Sequence, residues 1–321
     1  MKPLLLCFLA TSIASAELND QQKKVQAIAE TNQVELHLDQ PYAENDNLKQ
    51  RVDLYIPRKR NSEKPLPVVA LIHGGGWVNG DRIGYSSKAI QLARTGDFAC
   101  VAVGYRLTKE ATWPAQVHDC KAAIRWIRAH AKEHNLDPDR IAAWGSSAGG
   151  HLSSVLGTSG DVREIEGDLG PNDQHSSRVQ AVVNLCGPED FRQALMFAPD
   201  GKPIFKDDAV SGLLGGSAED KPQNAAAASP LTYASSDDAP FITFHGTQDK
   251  RVAFLHAESI HAALKKAGVE SHLIPITGGG HGSVSHPDVK ARGEIFLRRI
   301  FLGSKNPIPT EAIQALPEVA K

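Results

Sequence analysis

The chain alternates between continuous apolar runs and segments in which apolar residues recur every three or four positions. Residues 68–72 are a continuous apolar run that ends in glycines, which is typical of a strand buried on both faces of a sheet. Among the helical segments, Val117, Cys120 and Ile124 begin one apolar stripe. Further runs of the buried-strand type lie at residues 101–103, 141–144, 179–185, 241–244 and 273–276. Strands that alternate with helices predict right-handed βαβ crossovers and an α/β fold with a mainly parallel sheet.

Residues 34–302 are predicted to form one domain, because the pattern shows neither an internal repeat nor a second domain. The segments 34–38 and 52–56 alternate apolar and polar residues, as half-exposed antiparallel strands do. Residues 189–238 are the longest stretch without clear strand periodicity, and we expect a small cap or loop insertion there. The flanking segments are a predicted N-terminal arm and a predicted flexible tail, at residues 17–33 and 303–321.

The first sixteen residues have the features of a secretory signal peptide. Lys2 gives a positive start, residues 3–13 are mostly apolar, and Ala14-Ser15-Ala16 has the small-x-small pattern that signal peptidase favours. The apolar stretch is too short to span a bilayer as a stable anchor. We therefore expect cleavage after Ala16 and export to the periplasm or the medium, with a buried N-terminal helix as the alternative.

Composition argues against a partner that is recognised mainly by charge. The formal net charge is −2, and no basic run is long enough for a nucleic-acid or anionic-membrane surface. With 41% hydrophobic and 22% charged residues, the chain is expected to bury a packed core. We expect no nucleic-acid partner and no membrane span, while the oligomeric state stays open.

The cysteines favour neither a disulfide scaffold nor a metal site. Removal of the predicted signal peptide leaves Cys100, Cys120 and Cys186, which can form one disulfide at most. Their apolar neighbours favour buried thiols, and no Cys/His cluster has the spacing of zinc ligands. Three carboxylates crowd one polar loop, at Asp161, Asp168 and Asp173. A calcium ion bound there is the alternative to the solvated loop that we favour, and we predict neither a metal nor a cofactor.

The pentapeptide Gly145-Ser146-Ser147-Ala148-Gly149 fits the G-x-S-x-G pattern of a nucleophilic serine, here Ser147. It follows the apolar residues 141–144 and precedes the helix-compatible residues 148–156, which is the strand–turn–helix context that the pattern requires. The following helix directs its N-terminal amides to the place where negative charge develops. Because such a pentapeptide is common by chance, it needs support from the rest of the chain.

A glycine-rich loop, His73-Gly74-Gly75-Gly76-Trp77, follows the earlier buried strand. An oxyanion hole needs backbone N–H groups that point into a cavity, and consecutive glycines allow the chain to turn them inward. An ordinary glycine-rich loop or a phosphate cradle is the alternative. The loop lacks the Lys-Ser/Thr pair of a P-loop and the spacing of a dinucleotide fingerprint, so its combination with the serine motif favours the oxyanion hole.

Asp249 and His281 complete a candidate triad in the chain order Ser, Asp, His. Asp249 follows the apolar residues 241–244, and His281 follows residues 273–276 through a run of glycines. Three buried strands therefore each end in a loop that carries one triad candidate. Because the carboxyl ends of parallel strands form one edge of the sheet, we expect these side chains to meet there.

Other side chains compete for these roles with less support. Ser146 lies one position early in the serine motif and would point the wrong way. His286 lacks the glycine-rich approach, and a buried structural role is favoured for His245 at the end of its strand. Asp237 and Asp238 precede their strand and so belong to the opposite edge of the sheet.

The strings HGGGW, GYRL, WGSSAGGH and HGTQD…GGGHG, with the helix from Pro114, together resemble the hormone-sensitive-lipase-related esterases. Within this family, the chain most resembles the bacterial feruloyl and acetyl-xylan esterase-like branch, over roughly residues 52–301. The resemblance implies the α/β-hydrolase fold, with helices on both faces of a mostly parallel central sheet and a small cap insertion. Residues 189–238 match no substrate motif, which leaves the acyl and alcohol pockets open.

The resemblance also implies an activity and a set of site residues. The implied activity is a serine carboxylester hydrolase that acts through an acyl-enzyme, without a cofactor, on short-chain or carbohydrate-linked acyl esters. The expected partner is thus a small-molecule or oligosaccharide ester. The implied residues are Ser147, Asp249 and His281 for catalysis, and the N–H groups of Gly75, Gly76 and Ala148 for the oxyanion hole. The alternatives are an amide hydrolase of the same fold and a non-catalytic binding module on a hydrolase scaffold.

Overall fold

The computed structural model describes residues 18–192 and 208–316. The predicted signal peptide lies outside the described residues, as does the middle of the predicted cap insertion. Among the described helices, none combines the length and the apolar character that a bilayer crossing requires.

The sheet of the described residues is nine-stranded and mostly parallel. Its strands along the chain are β1 (Val34–Pro41), β2 (Arg51–Pro57), β3 (Leu66–Ile72), β4 (Ala99–Val103), β5 (Leu136–Ser146), β6 (Ala181–Leu185), β7 (Phe241–Gly246), β8 (Ser271–Thr277) and β9 (Ile313–Gln314). Their order in the sheet is β1-β2-β4-β3-β5-β6-β7-β8-β9. The pairs β1–β2 and β2–β4 are antiparallel and all other pairs are parallel, which confirms the predicted sheet.

Helices follow most of the strands. They are α1 (Asp20–Thr31), α2 (Ser86–Ala93), α3 (Ala115–His130), α4 (Ala148–Thr158), α5 (Asp208–Leu214), α6 (Pro222–Ala228), α7 (Leu255–Lys266) and α8 (Pro287–Leu302). Short 3₁₀ turns occupy Arg82–Tyr85, Arg163–Ile165, Pro230–Thr232 and His281–Ser285. Both α5 and α6 fall within the predicted cap insertion.

Alternating side chains of each central strand enter two cores, one on each face of the sheet. In β3, Val68 and Ala70 join a core with α3, α4 and α7, whereas Val69 and Leu71 join a core with α1, α2 and α8. Burial of one Val or Leu side chain contributes about 1.5–3 kcal/mol, so these cores fix the register of the strands. The register then brings the carboxyl ends of β5, β7 and β8 to one edge of the sheet.

The segment after α8 differs from the predicted flexible tail in the residues that the structure describes. Residues Ile313–Gln314 extend the sheet as β9, parallel to β8, and Ile313 is buried. The guanidinium of Arg292 donates to the carbonyl groups of Pro309 and Glu311. Free N–H and C=O groups on the edge strand β8 explain the pairing, which periodicity within so short a segment does not reveal.

Candidate active site

Ser147 stands at a sharp turn between β5 and α4. Its backbone has φ 55° and ψ −122°, a strained conformation for a residue with a side chain. Its N–H donates to the carbonyl oxygen of Leu185 on the neighbouring strand at 2.8 Å, which stabilises the turn. A side chain at Gly149 would overlap the carbonyl oxygen of Ile72, so the close approach of α4 to β3 requires glycine there.

The structure brings the three predicted triad side chains together at the edge of the sheet. His281 Nε2 lies 3.0 Å from Ser147 Oγ, and His281 Nδ1 lies 2.7 Å from Asp249 Oδ2. These contacts form one hydrogen-bonded line from the hydroxyl to the carboxylate. With Nδ1–H donating to Asp249, Nε2 is free to accept the hydroxyl proton.

Asp249 is held as a carboxylate by donors on several sides. Its Oδ1 accepts the backbone N–H groups of Arg251 and Val252 at 2.8 and 3.0 Å. Burial raises the pKa of Asp249, but hydrogen bonds from His245 and His281 outweigh it and hold the pKa well below its usual range. The carboxylate therefore stays ionised beside His281.

His245 is buried as the sequence predicted, but its contact with Asp249 was missed by sequence reasoning. Its ring is buried, with Nε2 3.3 Å from Asp249 Oδ2 and 2.8 Å from the carbonyl oxygen of Val252. The signal lay in the spacing, because His245 precedes Asp249 by four residues across a tight strand-end turn.

Residues 73–77, which we call the glycine loop, form the opposite wall of the site. Gly75 and Gly76 have φ values of 119° and 60°, and the Gly75 carbonyl accepts the N–H groups of Val78 and Asn79. Within the described part of the chain, the N–H groups of Gly75 and Gly76 have no acceptor. Ala148 is the first residue of α4, where an N–H lacks an intrahelical acceptor. Gly75 and Gly76 line the same cleft as Ser147, and Ala148 follows Ser147 in the chain, so all three predicted oxyanion donors are available beside it.

The glycine loop is tied to the rest of the molecule through His151 of α4. Trp77 Nε1–H donates to His151 Nδ1 at 3.2 Å, and His151 Nε2 donates to the carbonyl oxygen of Ala228 at 2.6 Å. Phe191 packs edge-on against both rings. Burial lowers the pKa of His151 to about 4, so the ring is neutral at physiological pH. The imidazole of His151 therefore links α4, the glycine loop and the end of α6. No local sequence pattern predicted this connection.

An open cleft of about 580 Å³ contains Ser147 and His281. Its lining comprises Gly74, Gly75, Gly76, Val78, Asn79, Ser146, Ser147, Cys186, Ala209, Arg251, His281, Gly282 and Val284. Most side chains of the lining are small and uncharged, which leaves an ester carbonyl free access to the hydroxyl of Ser147.

Cys186, Asp249 and His281 are the group of side chains in the described residues with the spacing of metal ligands, their donor atoms lying within 4.8 Å of one another. Burial raises the pKa of the Cys186 thiol, which therefore stays protonated, and the other two groups are hydrogen-bonded to each other. This chemistry is that of a proton relay and not of a metal site. Cys100 and Cys120 are likewise buried free thiols.

The competing side chains are engaged elsewhere. Ser146 Oγ is hydrogen-bonded to Tyr85 at 2.9 Å, and His286 accepts the N–H of Asp288 at the start of α8. Asp237 pairs with Arg178, which also pairs with Asp161. In the described residues, Asp161, Asp168 and Asp173 do not converge on a common ligand position.

Comparisons with known proteins agree with this geometry. The profile of the BD-FAE family matches residues 52–264. The chain is 35% identical over 208 residues to the probable carboxylic ester hydrolase LipM of Mycobacterium tuberculosis, across 62% of this chain and 45% of LipM. It spans about half the length of the curated relatives that it matches.

Solved structures share the same architecture. A truncated form of a carbohydrate esterase from gut microbiota superposes with a TM-score of 0.76 at 27% identity, over 83% of this chain and 95% of that chain. Esterase 2 of Thermogutta terrifontis, phosphonylated by sarin, superposes with a TM-score of 0.69 at 26% identity, over 83% of this chain and 95% of that chain. These likenesses confirm the predicted α/β-hydrolase fold.

Proposed function

The chain belongs to the BD-FAE family, and from this membership and the geometry of the cleft we propose that it is a serine carboxylester hydrolase. One observation carries the proposal: the hydrogen-bonded line from Ser147 through His281 to Asp249, with lengths of 3.0 and 2.7 Å. A hydroxyl hydrogen-bonded to an imidazole that is in turn hydrogen-bonded to an ionised carboxylate is the arrangement that makes serine a nucleophile.

In the first half of the proposed reaction, Ser147 Oγ forms a bond to the ester carbonyl carbon while its proton passes to His281 Nε2. The ionised Asp249 stabilises the imidazolium and holds the ring in the required tautomer. The carbonyl oxygen becomes an oxyanion that accepts hydrogen bonds from the N–H groups of Gly75, Gly76 and Ala148. Because these donors have no acceptor to release among the described residues, they stabilise the oxyanion without reorganisation.

In the second half, His281 gives its proton to the leaving alcohol, and the C–O bond of the ester breaks. The same imidazole then takes a proton from water, which attacks the acyl-enzyme, and Ser147 regains its proton as the acid leaves. Apart from the attacking water, each group that moves a proton or stabilises charge in these steps is a residue of the chain.

Hydrolysis of p-nitrophenyl acetate by the purified protein tests the activity. Diethyl p-nitrophenyl phosphate serves as a second probe, since a related esterase is phosphonylated by sarin. We expect one diethylphosphoryl group per chain, on the peptide that contains Ser147, with complete loss of turnover. Absence of both turnover and labelling would favour a non-catalytic module.

For the substrate class, we propose acyl esters on soluble carbohydrate, with acetylated or feruloylated plant polysaccharide fragments first. A carbohydrate esterase among the similar structures supports this choice, as does the open form of the cleft. The deciding measurement is kcat/KM on acetyl-xylan oligomers and methyl ferulate beside p-nitrophenyl esters of increasing acyl length. A preference of tenfold or more for long acyl chains would exclude the carbohydrate assignment.

We also propose that the protein acts outside the cytoplasm. Lys2, the apolar residues 3–13 and Ala14-Ser15-Ala16 support export by a signal peptide. Expression in a bacterial host followed by N-terminal sequencing should give a mature protein that begins at Glu17. A protein that starts at Met1 and stays in the cytoplasm would overturn this proposal.

A further inference from the structure

Arg251 is the permanently charged side chain in the described lining of the catalytic cleft. No aspartate or glutamate is among the described residues that line the cleft, and Asp249 itself is buried. Arg251 is exposed, and it lines the same cleft as Ser147 and His281, where a substrate must lie. The described cleft thus offers a positive charge without a negative one.

The backbone of Arg251 is hydrogen-bonded to Asp249, while its side chain has no partner among the described residues. Its N–H donates to Asp249 Oδ1 at 2.8 Å, which sets the position of its Cα beside the carboxylate. In the part of the chain that the structure describes, its guanidinium makes neither an ion pair nor a hydrogen bond. By contrast, Arg106 pairs with Asp119 at 2.7 Å.

A guanidinium without a partner among the described residues is available to an anionic group of a bound substrate. The planar fork of a guanidinium binds carboxylates through two parallel hydrogen bonds, a geometry that lysine does not offer.

We propose that Arg251 binds a carboxylate on the substrate, so that the enzyme prefers anionic esters to neutral ones. This inference rests on the proposed esterase function and adds the charge of its substrate. The carboxylate has two possible sources, the acyl part, as in a half-ester of a dicarboxylic acid, and the alcohol part, as in an acetylated uronic acid. Both present the same group to Arg251.

The test compares matched anionic and neutral esters in two arms. The acyl arm uses mono-p-nitrophenyl adipate against p-nitrophenyl hexanoate, with spontaneous hydrolysis subtracted. The alcohol arm uses acetylated galacturonate oligomers against acetylated xylo-oligomers. Each ratio of kcat/KM is measured for the wild-type protein, for Arg251→Gln and for Lys250→Gln. Lys250 is the matched control, because it is the exposed neighbouring cation that does not line the cleft.

We expect the wild-type protein to prefer the anionic ester about tenfold or more in at least one arm, the scale of a charge-assisted hydrogen bond. Arg251→Gln should remove that preference, and Lys250→Gln should keep it. An unchanged ratio in Arg251→Gln, or no anionic preference in either arm, overturns the inference while neutral-ester turnover still supports the esterase.

If no ester is hydrolysed, the esterase proposal fails, and calorimetric titration with adipate decides the role of Arg251. Binding that Arg251→Gln abolishes supports the inference. Equal binding to both proteins, or none, refutes it.

Discussion

The triad and the glycine loop face the same cleft, yet they are held in different ways. Asp249 of the triad accepts hydrogen bonds from backbone N–H groups and from imidazole, at distances of 2.7–3.0 Å. The glycine loop depends on positive φ values and on the packing of Trp77 against His151. One wall of the cleft is therefore fixed by charge and the other by shape.

This difference predicts how substitutions in each wall should affect activity and stability. Removing a triad group changes the chemistry and leaves the cores of the sheet intact. Disturbing the glycine loop changes the position of the donors, and its link to Ala228 through His151 carries the change into the fold. Triad variants should thus lose activity alone, whereas variants of the glycine-loop network should alter activity and stability together.

The largest effect is expected for Ser147→Ala, which deletes the nucleophilic oxygen. Turnover of p-nitrophenyl acetate should fall on the order of a million-fold, with an unchanged free energy of unfolding. Ser146→Ala is the matched control, because its hydroxyl contacts Tyr85 and not His281. Turnover by Ser147→Ala within tenfold of wild type, with contaminating esterase excluded, would contradict the triad assignment.

Asp249→Asn should lower kcat about ten-thousandfold, because an amide donates to His281 and enforces the wrong tautomer. The change keeps the volume of the side chain, so it isolates the charge that holds this wall. The measurement is kcat on p-nitrophenyl acetate, beside the thermal unfolding temperature. A loss below tenfold would mean that shape, and not charge, governs the triad as well.

Sequence reasoning predicted that Ser147, Asp249 and His281 lie together because the information for it is local. Each of Ser147, Asp249 and His281 follows a continuous apolar strand, and parallel strands bring their carboxyl ends to one edge of the sheet. The same apolar strands also predicted the mainly parallel sheet. What the pattern could not supply is the partner of a side chain across the fold, such as His151 for Trp77, 74 positions away. The strand β9 was missed for the same reason, since an edge strand is defined by the neighbour with which it pairs.

Gly76→Ala tests the glycine loop, the wall that is held by shape, at one of the proposed oxyanion donors. A methyl group at φ 60° is strained, and the added Cβ would lie 3.4 Å from Cβ of Ala209. We expect kcat to fall roughly a hundredfold, as when one oxyanion donor is lost, with a smaller change in KM. Gly84→Ala is the control, because no heavy atom lies within 4 Å of the Cβ that it would gain. Equal kcat values for both variants would mean that the glycine loop serves structure alone.

The smallest effect concerns the pH dependence of stability that His151 imposes. Burial lowers the pKa of His151 to about 4, from an ordinary value of 6.5. Between these values the unfolded chain binds more protons than the folded one, so acidification favours unfolding. The stability is present above pH 6.5 and is lost as the pH falls towards 4. Between pH 7 and 5, the share due to His151 is about 2 kcal/mol.

His151→Gln should therefore flatten the pH profile of the free energy of unfolding, measured by urea titration at pH 7 and 5. Glutamine cannot take up the proton, so the variant loses the acid-sensitive part of the stability even where its stability at pH 7 is lower. His175→Gln, outside this network, should run parallel to wild type. Asp249→Asn should lose as much free energy of unfolding between pH 7 and 5 as the wild-type protein does, since the triad and the glycine loop are held separately. If His151→Gln and wild type instead lose equal stability on acidification, His151 does not couple the glycine loop to the fold through its neutral ring.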